Sequence, residues 1–321
     1  MKKLPKRILI GFLIVGILLA AANIAFLAAV NRYMPETAAS MPCRNFQNAG
    51  KVRINGFDIW YKEAGIKNSK PPVIVVHGGP GMSDYYFHNY LNFLEKDQKV
   101  YYYDQRGSGN SEIKPDLSLY SMDNMVKDLE QFRKDVVKED KVSLVAHSFG
   151  GMVALEYMKK YEKQVASAVL VSPMADSANQ TASAWGLVDI ISKHGFPPKD
   201  PEEANKWFMG IQHTYFKNCF YNKNNEKVLD DMGYISFATL AATGSKLKQQ
   251  NIEKTYAGIK TRTLIIYGEK EYMTTTESGQ VKLHRTLSNS ILKKFDHSGH
   301  FSFIEEPDKF ASVVQQFLNN K

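Results

Sequence analysis

Three side chains of this 321-residue sequence have the types and the order that nucleophilic acyl transfer needs: Ser148, then Glu271, then His300. A serine hydroxyl is a weak nucleophile until a base takes its proton, and a carboxylate must orient that base and stabilise its charged form. Ser148 lies in Lys141-Val-Ser-Leu-Val-Ala-His-Ser-Phe-Gly-Gly151. The apolar run 142–146 reads as a strand that stops at His147-Ser148, and the spacing of Met152, Leu155 and Met158 reads as a helix that starts at once. A serine at so sharp a turn projects its Oγ from the sheet edge. Small residues two before and two after it let strand and helix pass closely; Gly150 meets that need, whereas Ala146 adds a methyl group.

The other two groups also follow strand ends. The apolar run 261–268 leads into Glu269-Lys-Glu271, and the run 290–295 leads into Asp296-His-Ser-Gly-His300. Glu271, three residues past Gly268 and clear of the strand, is the expected acid, with Glu269 the alternative. His300, given loop freedom by Gly299, is the expected base, with His297 as the fallback.

The elements that must position them can be read in order. Segments 51–54 and 57–63 alternate apolar and polar residues around Asn55-Gly56, a hairpin signal. Segment 72–77 is apolar throughout, as a strand buried on both faces must be, and ends in His77-Gly-Gly-Pro-Gly81. That glycine-rich turn can present backbone N–H groups to a developing oxyanion. Strand 99–104 runs into Gln105-Arg-Gly-Ser-Gly-Asn-Ser111, residues 122–137 have helical spacing, and 168–172 is a further strand.

Such alternation implies right-handed crossovers and an α/β domain with a mostly parallel central sheet. From 176 to 256 the strand pattern lapses into aromatic-rich helical stretches, the mark of an inserted helical lid. The expected core is therefore 51–175 and 257–321, closed by a helix over 307–318.

A hydrophobic content of 44% is enough for a large single core, and the formal charge of +8 is spread without a dense basic block beyond the N-terminus. That distribution suits an anionic cell envelope and does not form a nucleic-acid footprint. Residues 8–30 carry no charge and at 1.5 Å per residue reach across a hydrocarbon core of about 30 Å. Lys2, Lys3, Lys6 and Arg7 precede them. The charge bias predicts a single-pass signal anchor, 1–30, with a cytoplasmic N-terminus and an extracytoplasmic catalytic domain tethered to the cell membrane by 31–50. A cleaved signal peptide, cut near 20–22 or 38–40, is the rival reading. Cys43 and Cys219 are the two cysteines, either paired outside the cell or two separate thiols. No metal-ligand spacing is present, and the chemistry calls for no cofactor.

Together these blocks resemble the proline iminopeptidase (prolyl aminopeptidase) family of α/β-hydrolases. His77-Gly-Gly-Pro-Gly81, Asp104-Gln-Arg-Gly-Ser-Gly-Asn-Ser111, His147-Ser-Phe-Gly-Gly151, Tyr267-Gly-Glu-Lys-Glu-Tyr-Met-Thr274 and Gly299-His300 match in order, and the similarity spans roughly 50–320. The resemblance implies an α/β-hydrolase fold, an oxyanion hole from the N–H groups of Gly79 and Phe149, and release of N-terminal residues, often proline, from short peptides through an acyl-enzyme. Ala146 replaces the usual Gly, and Glu271 stands where the family has Asp. Ser236, in Met232-Gly-Tyr-Ile-Ser-Phe237, occupies the place of a lid Glu that helps to bind the substrate's α-ammonium group. Glu202 and Glu203 are the lid carboxylates that could compensate.

The expectation is thus a membrane-anchored serine hydrolase of aminopeptidase type. An esterase, lactonase or amidase for small acyl substrates is the alternative that Ser236 favours. A non-catalytic binding protein on the same fold is a third, against which the complete set of three groups argues.

Overall fold

Eight strands form one sheet in the order β1-β2-β4-β3-β5-β6-β7-β8 in the computed structural model of the chain. The structure describes residues 48–114, 116–175, 192–196, 216–225, 236–244, 251–271 and 277–320, with isolated positions between 198 and 247. The expected anchor and nearly all of the tether lie outside the described residues, as does most of the lid. Among the described residues no helix is long and apolar enough to cross a membrane.

β1 (Ala49–Ile54) and β2 (Phe57–Gly65) form the expected hairpin, with Ile54 paired to Phe57. The two-residue turn needs positive φ at both positions, and Asn55 (45°) and Gly56 (85°) supply it. β2 runs antiparallel to β4 (Lys99–Tyr103). From there the sheet is parallel through β3 (Val73–Val76), β5 (Val142–His147), β6 (Val165–Val171), β7 (Thr263–Gly268) and β8 (Ser290–Phe295). The central strands are buried at every position in β3, β5 and β7, which is why apolar residues dominate their sequences.

Alternate side chains of these strands feed two cores. Ile74, Val76, Leu144, Ala146 and Leu170 pack under α1 (Met122–Phe132) and α2 (Phe149–Tyr161). Val73, Val75, Val145, Val171 and Ile266 pack on the other face, under Phe310, Val314 and Phe317 of the closing helix Pro307–Asn319. Each valine, leucine, isoleucine or phenylalanine among them, fully buried, stabilises the fold by roughly 1.5–3 kcal/mol. α1 starts at Ser121, whose Oγ accepts the Asn124 N–H at 3.3 Å. A short piece of the lid, α3 (Phe237–Gly244), returns over the carboxyl ends of the strands.

Candidate active site

Every chemically promising segment leaves the carboxyl end of a parallel strand: His77–Gly81 after β3, Asp104 after β4, Ser148 after β5, Glu271 after β7 and His300 after β8. Open α/β sheets collect their sites at that edge.

Ser148 has φ 55° and ψ −120°, a backbone conformation that L-residues avoid. The strain is held by three bonds: its N–H donates to Val171 O, and its carbonyl accepts from Gly151 N–H and Met174 N–H, all at 2.9 Å. Gly150 is obligatory here, because a Cβ would lie 2.3 Å from the Val76 carbonyl and 2.4 Å from that of His77. Ala146, by contrast, is wholly buried in β5, so its methyl is core and not an obstruction at the turn.

The acid and base loops are laid against each other. Lys270 N–H donates to Ser298 O (3.1 Å) and Glu269 N–H to Phe295 O (2.9 Å). A side chain on Gly268 would collide with the Gly299 and Ser298 carbonyls. This brings Glu271 Oε1 to 2.9 Å from His300 Nδ1, both side chains 2% exposed. The alternatives are placed at the surface: Glu269 pairs with Lys294, and His297 is exposed against the Tyr221 ring.

Gly299 has a different use from the one expected. A Cβ there would meet the Cys219 carbonyl at 2.1 Å, and that same carbonyl accepts the His300 N–H at 2.7 Å. Glu305 clamps the segment further, accepting N–H bonds from Tyr221 (3.1 Å), Asn222 (2.9 Å) and Gly299 (2.6 Å). Cys219 is buried, and Cys43 lies outside the described residues.

The glycine-rich loop abuts Ser148: a Cβ on Gly78 would fall 2.9 Å from both Ser148 Cβ and His147 Nδ1. Gly79 has φ +49°, and the peptide that precedes it is fixed through its carbonyl. His77 Nε2 accepts the Gln105 N–H (3.0 Å), so Nδ1 carries the proton and donates to the Gly78 carbonyl (2.8 Å). Burial lowers the His77 pKa to about 4 and keeps the ring neutral. Because C=O and N–H point opposite ways across a planar trans peptide, pinning the Gly78 carbonyl aims the Gly79 N–H. Phe149 is the first residue of α2, where an N–H has no carbonyl four residues back within the helix. The described residues hold no cluster of metal-ligating side chains.

The lid positions are placed less centrally. Ser236 caps α3: its Oγ accepts the Thr239 N–H (3.3 Å), and its own N–H donates to Gly81 O (2.7 Å). The Thr239 hydroxyl donates to Gly107 O (2.5 Å), so the helix start is tied to two of the glycine-rich loops. Glu203 is exposed, and Glu202 lies outside the described residues.

The comparisons agree with this geometry. Residues 71–198 match the family model for the alpha/beta hydrolase fold. A proline iminopeptidase of Saccharolobus solfataricus is 27% identical over 290 residues, 84% of this chain and 92% of that protein. The chain thus has the α/β-hydrolase fold and is similar to proline iminopeptidases over most of its length. It is a serine hydrolase. Among solved structures, the α/β-hydrolase MGS-M2 from a Medee basin deep-sea metagenome library superposes with a TM-score of 0.70 at 19% identity, covering 85% of this chain and 98% of its own. The enol-lactonase of Burkholderia xenovorans gives 0.70 at 18% identity, over 84% of this chain and 100% of its own. At such identities these two speak for the fold alone.

Sequence reasoning assigned no role to Tyr86, His77 or His147. The two histidines stood inside matched motifs, but only the folded chain brings the Tyr86 hydroxyl to 2.5 Å from Gly78 N and 2.9 Å from His147 Nδ1.

Proposed function

We propose that this hydrolase is an aminopeptidase of proline iminopeptidase type, with Ser148 as nucleophile, His300 as base, Glu271 as its orienting acid, and the N–H groups of Gly79 and Phe149 as the oxyanion hole. His300 Nε2 takes the Ser148 Oγ proton as Oγ attacks the carbonyl carbon of the N-terminal residue. The tetrahedral oxyanion rests on the two N–H groups. Collapse breaks the C–N bond, His300 returns the proton to the leaving amine, and an acyl-enzyme remains. Water, deprotonated by His300, then releases the amino acid and restores Ser148. Glu271 remains ionised throughout and fixes the imidazole with its proton on Nδ1.

The observation that carries the peptidase reading is the extent of the likeness: it covers 84% of the chain and 92% of the S. solfataricus enzyme, well beyond the catalytic blocks. Residues 8–30 serve, in this reading, as a membrane anchor that leaves the catalytic domain outside the cytoplasmic membrane.

A second reading, an esterase, lactonase or amidase, is favoured by Ser236. The residue that stands where relatives resembling this chain have an ammonium-binding Glu is neutral and acts as a helix cap. The purified full chain, beside Ser148→Ala, is to be assayed on proline, alanine and other aminoacyl anilides and on short-chain esters. Turnover of the anilides, lost in the variant, supports the aminopeptidase; turnover of esters alone replaces it with the second reading.

A further inference from the structure

Tyr86 and His147 are fully enclosed between the serine turn and the loop that carries His300. The Tyr86 ring lies 4.3 Å from Phe87 and stacks on Phe303 at 6.0 Å. The His147 ring lies 5.3 Å from Phe301, 5.2 Å from Phe303 and 4.6 Å from the His300 ring. In so dry a box each polar atom needs a defined partner.

The partners leave one arrangement of protons. His147 Nε2 is 3.0 Å from the His300 carbonyl, which only accepts, so Nε2 bears the hydrogen. Burial, with the neighbouring His300 and His77 rings, holds the His147 pKa well below its ordinary value, so the ring is neutral and Nδ1 is bare. Nδ1 therefore accepts from the Tyr86 hydroxyl at 2.9 Å. The Tyr86 oxygen in turn accepts the Gly78 N–H at 2.5 Å.

We propose that Tyr86 and His147 are positioning residues for hydrolysis, a directed relay from Gly78 N–H through the Tyr86 hydroxyl and the His147 ring to the His300 carbonyl. The relay holds the oxyanion loop and the base loop at a fixed spacing. It rests on the hydrolytic reading above, in which Gly79 serves the oxyanion and His300 is the base. Its oxyanion end is the same residue whose carbonyl His77 pins, so Gly78 is held by both its N–H and its C=O. Neither Tyr86 nor His147 touches the substrate carbonyl in this scheme. They act through where they put Gly79 and His300.

A fluorophosphonate probe reports the serine, base and oxyanion hole without knowledge of the substrate, and its labelling rate is to be measured on the full chain. Tyr86→Phe keeps the ring and removes the hydroxyl; labelling is expected to slow by about tenfold or more, since small misplacements of reacting groups have costs of that order. His147→Phe is expected to do the same. His147→Gln retains one N–H for the His300 carbonyl and one acceptor for Tyr86, and is expected to stay within about threefold of wild type. In the wild-type protein, ring-nitrogen NMR is expected to show His147 as the neutral Nε2–H tautomer at about pH 5, where an ordinary imidazole is charged.

Wild-type labelling rates in Tyr86→Phe at an unchanged melting temperature overturn the relay, as does equal loss in His147→Gln and His147→Phe, or an Nδ1–H or charged His147. Should Tyr86→Phe melt below the assay temperature, the His147 pair and the tautomer decide. A wild type that takes no label at Ser148 sinks the hydrolytic reading and the relay's role with it, whereas a labelled wild type with an indifferent Tyr86→Phe sinks the relay alone.

Discussion

His300 Nδ1 lies 2.9 Å from Glu271 Oε1, and neither side chain is more than 2% exposed. In the proposed mechanism a charge so enclosed acts strongly on the imidazolium that forms when Ser148 gives up its proton. Glu271→Gln keeps the shape but removes the charge and permits the wrong tautomer. The expected loss in kcat is about 10²–10⁴-fold with KM little changed. Glu271→Asp keeps the charge one methylene short and is expected to recover a large part of that loss. Steady-state kinetics of the two variants separate a charge effect from a packing effect, and equal losses would count against Glu271 as the acid.

The placement of Ser148, Glu271 and His300 at strand ends was legible because the first two follow mainly apolar runs buried in the sheet, and His300 follows the alternating strand 290–295 at its edge. The hairpin at Asn55-Gly56 was legible for a local reason, the positive φ at both turn residues. What the sequence hid is contact between loops from different strands. Gly299 reads as a hinge, yet its lack of a Cβ admits the Cys219 carbonyl from a distant part of the chain. Ser236 reads as a replaced substrate contact, yet its hydroxyl caps α3 against the Gly81 loop. Tyr86 reads as one more aromatic, because its partner His147 is distant in sequence.

Ser148 stores strain, since φ 55° with ψ −120° is costly for any residue with a Cβ. Ser148→Gly and Ser148→Ala both remove the hydroxyl, but only glycine relieves the backbone. Ser148→Gly is expected to exceed Ser148→Ala in unfolding free energy by about 1–3 kcal/mol, both being inactive. Urea titrations of the two variants test this; equal midpoints and slopes would mean that the turn carries no strain.

Arg106 grips Asp128 through Nε and Nη2 at 2.5 and 2.6 Å, with the guanidinium 4.5 Å from the Phe57 ring centroid. Both side chains are nearly wholly buried, and Asn55 adds a third bond to the carboxylate at 2.9 Å. Arg106→Met leaves Asp128 charged and deprived of its cation inside the core. The expected destabilisation is about 3–5 kcal/mol, most of it regained in Arg106→Met/Asp128→Leu because a matched apolar pair incurs no such penalty. A double variant no more stable than the single one would assign the loss to packing around Phe57.

Asp84 and Asp104 form a buried acidic pair behind the glycine-rich loop. Asp104 Oδ1 accepts the Asp84 N–H (2.9 Å) and Oδ2 the Asn110 N–H (2.7 Å), while Asp84 Oδ2 faces His88 Nε2 at 2.5 Å. Burial pushes the Asp84 carboxyl up to about 7 from an ordinary value of 3.8, against the lowering influence of Asp104 bonding and Lys62. Burial and the neighbouring Asp84 charge raise Asp104 as well. A folded pKa above the unfolded one means that the native state keeps a proton which the unfolded chain releases. The stabilisation from that proton is complete below about pH 4 and is lost as pH rises through about 7. Asp84→Asn cannot ionise, so the difference in unfolding free energy between wild type and variant isolates the group. Between about pH 4 and 7.5 that difference is expected to move in favour of the variant by roughly 2–4 kcal/mol. Movement in the opposite direction would mean that Asp84 is ionised in the native state, held by a cationic His88 and not by a shared proton.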